Sequence, residues 1–216
     1  MKHITFYLDF VSPYAYLAFE ALPAALQGHS VSVTYKPILF AGLLRHYGQL
    51  GPAEIPAKRE WTYRQVQWLA HQQGIDFQMP ATHPFNPLGL LRLALATDPE
   101  GLPNRYVCET LFRHVWVGGA DAADALRLQA LTRSLAEEKA LALDMDDAAV
   151  KAQLRAHGED AIAKSVFGVP SFEVDGKVFW GQDALPMLRS YLDGDAWFAG
   201  AHWDAAAALP VGAARV

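Results

Sequence analysis

At 216 residues the chain is long enough for one large domain, or a domain with an insertion, around a sizeable buried core. Apolar residues make up 52% and charged residues 19%, which excludes a disordered chain, and the formal net charge of -5 excludes a global attraction to nucleic acid or anionic lipid. A single cysteine, Cys108, excludes an internal disulfide and a cysteine-based zinc site, and it fits a reducing compartment.

The first residues, MKHITFYLDFVSP, do not read as a signal peptide, because Asp9 and Pro13 interrupt the apolar run. No stretch reaches the roughly 18 uncharged apolar residues of a membrane span, so a cytoplasmic protein with no membrane partner is expected. Residues 3–10 alternate, with Ile4, Phe6, Leu8 and Phe10 on one face and Thr5, Tyr7 and Asp9 on the other, which predicts a half-buried strand. Ser12 then reads as an N-cap and Pro13 as a first-turn proline, opening a helix to about Leu26. Residues 31–35 predict a second strand.

From about residue 41 the period changes. Helices are predicted over 54–74, 87–97, 104–117, 121–141 and 146–157, with breaks at Asp98-Pro99-Glu100-Gly101, Gly118-Gly119, Asp144 and Gly158. A short helix is possible over 160–167. SFEVDGKVFW, residues 171–180, then gives two alternating runs around Asp175-Gly176, a strong hairpin signal because both turn positions want positive φ. A last helix starts at Gln182-Asp183 and runs to about Leu192. The tail containing AAAALPVGAARV is expected to be loosely held.

The order is β-α-β, a long helical block, then α-β-β-α. It predicts an α/β fold with a thioredoxin-like mixed sheet, built from residues 1–40 and 159–216, and a large all-helical insertion over 41–158. In such folds the unpaired N–H groups and dipole at the first helix lower the pKa of a nearby thiol. Here Ser12 stands at that junction, so a thiol must come from a bound molecule, and glutathione is the cytoplasmic candidate. Ser12 also fits the plain role of an N-cap. Val169-Pro170, before the hairpin, fits either an ordinary turn or a cis bond that leaves the Val169 backbone free to pair with an extended peptide. Cys108 lies among apolar residues of a helix and reads as packing. The eight histidines show no metal-ligand spacing, so no metal is expected.

Four stretches, FYLDFVSPYAYLAFEAL, PAEIPAKREWTYRQVQW, HPFNPLGLLRLAL and FGVPSFEVDGKVFWGQDAL, together resemble the 2-hydroxychromene-2-carboxylate isomerases. These are glutathione-dependent enzymes close to kappa-class glutathione transferases and related to bacterial disulfide oxidoreductases. The resemblance implies a homodimer with glutathione as cofactor. It implies interconversion of 2-hydroxychromene-2-carboxylate and trans-o-hydroxybenzylidenepyruvate in aromatic hydrocarbon breakdown, by reversible thiolate addition. Ser12 would be the catalytic residue and hold the sulfur. Val169 would bind the cysteinyl backbone, while Gln182 and Asp183 would hold the γ-glutamyl end. Lys58 matches a family lysine for a carboxylate of glutathione or of the small aromatic carboxylate substrate, and Asn86 matches a position facing the site. Phe40 and Tyr47 would shape the aromatic part of the pocket. Read without the resemblance, Lys58 is a solvated lysine, and Asn86 and Asp183 are helix caps. The family's loop Gly-Asn is replaced by Gly48-Gln49. A kappa-type transferase or peroxidase shares the same site, and a non-catalytic thioredoxin-like binding module is the reading of another class.

Overall fold

The computed structural model describes residues 1–212. Its sheet has four strands in the order β2-β1-β3-β4: β1 (Lys2–Leu8), β2 (Val31–Pro37), β3 (Ser171–Val174) and β4 (Lys177–Trp180). α1 (Pro13–Ala25) crosses over between β1 and β2, which pair in parallel from Lys2 opposite Val31 to Leu8 opposite Pro37. β3 returns antiparallel to β1, with Tyr7 opposite Ser171, and the hairpin to β4 turns at Asp175 (φ 51°) and Gly176 (φ 76°). Both turn residues take the positive φ that the Asp-Gly pair predicts.

Between β2 and β3 lie α2 (Phe40–His46), α3 (Pro56–Gln73), α4 (Leu88–Ala96), α5 (Arg105–Trp116), α6 (Ala125–Lys139) and α7 (Ala148–Ala163). A short 3-10 turn, Gln182–Ala184, leads into α8 (Leu185–Leu192). The main core joins sheet to helices through aromatic contacts: Phe6 stacks on Phe172 at 4.6 Å, and Phe112 of α5 meets Phe10 at 4.9 Å and Phe19 at 5.1 Å.

Two local expectations are corrected. β1 is buried on both faces, not one: Thr5, Tyr7 and Asp9 lie inside. β1 is a central strand with helices over both faces, and Tyr7 keeps its polar tip satisfied by donating to Asp160 of α7 at 2.8 Å. α7 does not stop at Gly158 but runs on to Ala163. Its buried positions, Val150, Leu154, His157 and Ala161, keep helical spacing straight across the glycine, and packing outweighs the roughly 1 kcal/mol a helical glycine costs. The chain after α8 stays folded as far as Ala207, and residues 208–212, within the tail expected to be loose, are exposed and in neither helix nor strand. It forms a 3-10 turn, Ala196–Ala199, and α9 (Ala201–Ala207), whose Phe198 and Trp203 rings both sit 6.0 Å from Phe179 of β4. Residues 213–216 of that tail lie outside the described residues.

Candidate functional site

The junction between β1 and α1 is fixed atom by atom. Ser12 has extended backbone (φ -91°, ψ 114°), as an N-cap requires, and its Oγ accepts from the Ala15 N–H at 3.2 Å. That bond occupies a lone pair and leaves the hydroxyl hydrogen free to donate. Pro13 at the first helical position has no N–H to satisfy, and the Tyr14 N–H has no backbone acceptor among the described residues. Ser12 is 7% exposed, so it lies just under the surface. The local geometry therefore presents an O–H and an unused N–H at a helix N-terminus, which favours an anion.

Behind Ser12, side chains distant in sequence pin each peptide of the junction. Asp9 is fully buried, and its carboxylate accepts from the Val11 N–H at 3.1 Å and from the Phe40 N–H at 2.9 Å. The second bond caps α2 from outside that helix, because its own N-cap, Leu39, has no side chain able to do so. Trp116 donates to the Phe10 carbonyl at 3.0 Å, and His83 Nε2 lies 2.8 Å from the Val11 carbonyl oxygen. Burial pushes the Asp9 carboxyl up to about 7, against the pull of its N–H donors. Burial also pushes His83 below the ordinary histidine value, although its bond to Val11 works the other way. Asp9, His83 and Trp116 were missed by sequence reasoning. The one signal was a charge at Asp9 inside the apolar run FYLDFV.

The second half of the candidate site comes from the hairpin end. The Val169-Pro170 bond is cis, and neither the N–H nor the C=O of Val169 is used in a backbone hydrogen bond among the described residues. Phe40 packs in the same small cluster as Tyr7, Ile38 and Val169. α1 packs against both α3 and the Gln182–Ala184 turn. Tyr14 marks that meeting: its hydroxyl donates to Gln65 of α3 at 2.7 Å. Burial holds its proton on, Thr62 works the other way, and the Asp183 charge adds to the burial.

The structure divides the remaining expected residues. Lys58 lines a groove of about 420 Å³ with Pro52, Ala57, Trp61 and Thr62, and no carboxylate lines it. Gln182 and Asp183 line a separate groove of about 380 Å³ with Ala21, Gln73 and Arg189 among its walls. Asn86 is exposed and its Oδ1 accepts from the Leu88 N–H at 3.1 Å, a local turn leading into α4, whose N-cap is Pro87. Tyr47 is exposed beside His46 and lines neither groove. Trp180 lies outward over Gly168, where a Cβ would come 2.5 Å from its Nε1. Cys108 is fully buried, and burial pushes its thiol up, as a packing cysteine would be. No helix among the described residues is long and apolar enough to cross a membrane, and no cluster of three potential metal ligands occurs among them.

Residues 3–193 match the sequence profile of the DSBA-like thioredoxin domain. The chain belongs to the DsbA-like thioredoxin family. The expected fold, a thioredoxin-like mixed sheet with a helical insertion, is thereby borne out. Among its DsbA-like relatives, a 2-hydroxychromene-2-carboxylate isomerase of Sphingobium xenophagum is 27% identical over 194 residues, covering 88% of this chain and 98% of that protein. A protein named glutathione S-transferase kappa 2 of Caenorhabditis elegans is 27% identical over 209 residues, covering 88% and 92%. A solved structure of 2-hydroxychromene-2-carboxylate isomerase superposes with a TM-score of 0.72 at 23% identity, covering 91% of this chain and 97% of that one. The expected kinship with isomerases and kappa transferases therefore holds along most of this DsbA-like chain.

The polar groups fit glutathione by type. That tripeptide carries a thiol, an ammonium, two carboxylates and an extended backbone. The junction presents a hydroxyl and a free N–H at Ser12 and Tyr14 and the hairpin end an unused backbone N–H and C=O at Val169, while the carboxylate of Asp183 and the cation of Lys58 lie in two separate grooves.

Proposed function

We propose that the chain is a glutathione-dependent isomerase interconverting 2-hydroxychromene-2-carboxylate and trans-o-hydroxybenzylidenepyruvate, working in the cytoplasm as a homodimer. The observation that carries this reading is a hydroxyl at Ser12, where disulfide exchange would require a thiol, in a chain whose sole cysteine is fully buried. The isomerase and transferase relatives support it. Glutathione supplies a nucleophile that adds to a conjugated double bond and leaves again, making that bond single long enough to rotate.

The protein's own residues then have separable tasks. Ser12 Oγ–H and the Tyr14 N–H favour the anionic form of the sulfur, each charge-assisted bond being worth about 1.5–3 kcal/mol. Val169 aligns the cysteinyl backbone. Asp183 takes the ammonium of the γ-glutamyl end, with Gln182 beside it. Lys58 takes a carboxylate, while Phe40, Tyr47 and Asn86 stand on the substrate side. Fixing both molecules in one orientation reduces the entropic part of the barrier.

The test is stoichiometric. Purified protein with sub-stoichiometric glutathione is expected to interconvert many equivalents of the hydroxychromene carboxylate, followed by near-UV absorbance, and to leave the glutathione unchanged. Consumption of glutathione at one equivalent per turnover would instead establish the kappa-type transferase, a reading the Caenorhabditis elegans relative favours. Peptide capture with no dependence on glutathione would establish a binding module.

Gly181 provides a finer check on Asp183. Gly181 has φ +103°, and a Cβ there would sit 2.3 Å from Asp183 Oδ1. Gly181→Ala is therefore expected to displace that carboxylate and weaken glutathione binding about tenfold, as read by calorimetry, the loss of one charge-assisted bond. An unchanged affinity in the folded variant would remove Asp183 from the ammonium site.

A further inference from the structure

We propose that His83 is a positioning residue for the sulfur site, acting through the Val11–Ser12 peptide. The inference rests on the glutathione reading and extends it to a residue that touches neither ligand.

That peptide is gripped on both edges. The Ser12 N–H donates to the Asp9 carbonyl at 3.1 Å, and the Val11 carbonyl faces His83 Nε2 at 2.8 Å. A carbonyl oxygen only accepts, so Nε2 must carry a hydrogen. The other ring nitrogen, Nδ1, lies 2.8 Å from the Tyr63 hydroxyl, which also lies 2.7 Å from the His83 carbonyl oxygen. Burial keeps the ring neutral at pH 7. With Nε2 protonated, Nδ1 is then an acceptor, and the one hydrogen of Tyr63, which donates to the His83 carbonyl oxygen, is shared between that oxygen and Nδ1. Tyr63 thus anchors the residue whose Nε2–H holds Val11, at its backbone carbonyl and beside Nδ1.

The surroundings leave the Val11 carbonyl no easy alternative. His83 is flanked by Tyr63 at 5.3 Å, Trp116 at 5.5 Å and Phe85 at 6.3 Å, an aromatic wall that offers the carbonyl no other donor. Without the imidazole N–H, the carbonyl loses its partner in a half-buried place, and the peptide is free to rotate. Such a rotation changes the φ of Ser12 and so the aim of its hydroxyl. It also brings the negative end of a peptide dipole toward a site meant for an anion. His83 therefore acts on the sulfur by fixing the direction of one peptide plane, and Tyr63, on α3, joins that plane to the helix that carries Lys58.

Three variants and one spectrum test this. The readout is the pKa of the bound glutathione thiol, followed by thiolate absorbance against pH, because a merely structural role lowers stability without moving it. Wild type is expected to depress that pKa below the free value. His83→Phe keeps the volume but loses the donor, and is expected to cut the thiolate fraction of the bound thiol about tenfold. His83→Gln, whose side-chain amide can donate to the same carbonyl, is expected to restore most of it. Tyr63→Phe is expected to give a smaller shift in the same direction. Nitrogen NMR of the wild-type protein is expected to place the proton of neutral His83 on Nε2. A folded His83→Phe protein with the wild-type thiol pKa, or a proton found on Nδ1, would overturn the proposal. If His83→Phe does not fold, Tyr63→Phe and the NMR tautomer decide it. A wild-type protein that leaves the thiol pKa at its free value overturns the functional reading, and this inference with it.

Discussion

Replacing Ser12 with alanine is expected to slow the proposed isomerisation about 10²–10³-fold, the scale on which one donor to a developing or bound anion acts. The same change removes an N-cap, at a cost of about 0.5–2 kcal/mol to the fold, so a second variant is needed to separate the two roles. Ser12→Asp keeps a capping oxygen for the Ala15 N–H but has no hydrogen to donate and carries a negative charge of its own. It is expected to fold at least as well as Ser12→Ala and to be at least as inactive. Steady-state kinetics together with urea unfolding of both variants reads the outcome. Wild-type turnover in either variant would show that the hydroxyl serves α1 alone.

The second large effect belongs to Asp9. Its carboxyl is pushed up from an ordinary 3.8 to about 7 because it is fully buried. Below about pH 4 the group is protonated whether the protein is folded or not, and it makes no difference to stability. As pH rises from about 4 to about 7, the unfolded chain ionises first and gains free energy that the native state does not. Asp9 therefore contributes stability that is present at low pH and lost by about pH 7, to the extent of about 4 kcal/mol. His83, His114 and His157, all pushed down by burial, act in the opposite sense as pH falls through the ordinary histidine range. The contribution is isolated by subtracting the urea-unfolding free energies of Asp9→Asn from those of wild type at each pH. That difference is expected to shrink steadily between about pH 4 and 7. A difference independent of pH would mean that Asp9 is ionised in the native protein throughout.

What was legible in the sequence was what short segments decide for themselves. The Asp175-Gly176 turn, the Ser12 cap and the amphipathic helices follow from residues within a few positions of one another. Tyr7 and Asp9 were misplaced on an exposed face because alternation cannot report that a strand lies centrally in its sheet. That depends on β3, which arrives at Ser171, and on α7, whose Asp160 satisfies Tyr7. α2 went unrecognised as a helix of its own because its cap is Asp9, thirty-one residues upstream. His83 was invisible for the same reason, its partner Val11 being seventy-two residues away. The expected ligand residues divide likewise. Ser12 and Val169 have the local geometry their proposed roles require, whereas Lys58 and Asp183 lie in separate grooves, which no motif spacing could have revealed.

The sheet's threading bears on how the chain is made. From Thr5 to Tyr7, the side of β1 away from β2 waits for Ser171 to Glu173. Between them the ribosome must deliver about 160 residues, which takes roughly 8–30 s at ordinary synthesis rates. For that interval a flat, apolar strand edge is open to any passing extended peptide. The cradle around Ser12 cannot close until the last quarter of the polypeptide has emerged, so nascent chains arrested early should be the form that chaperones hold.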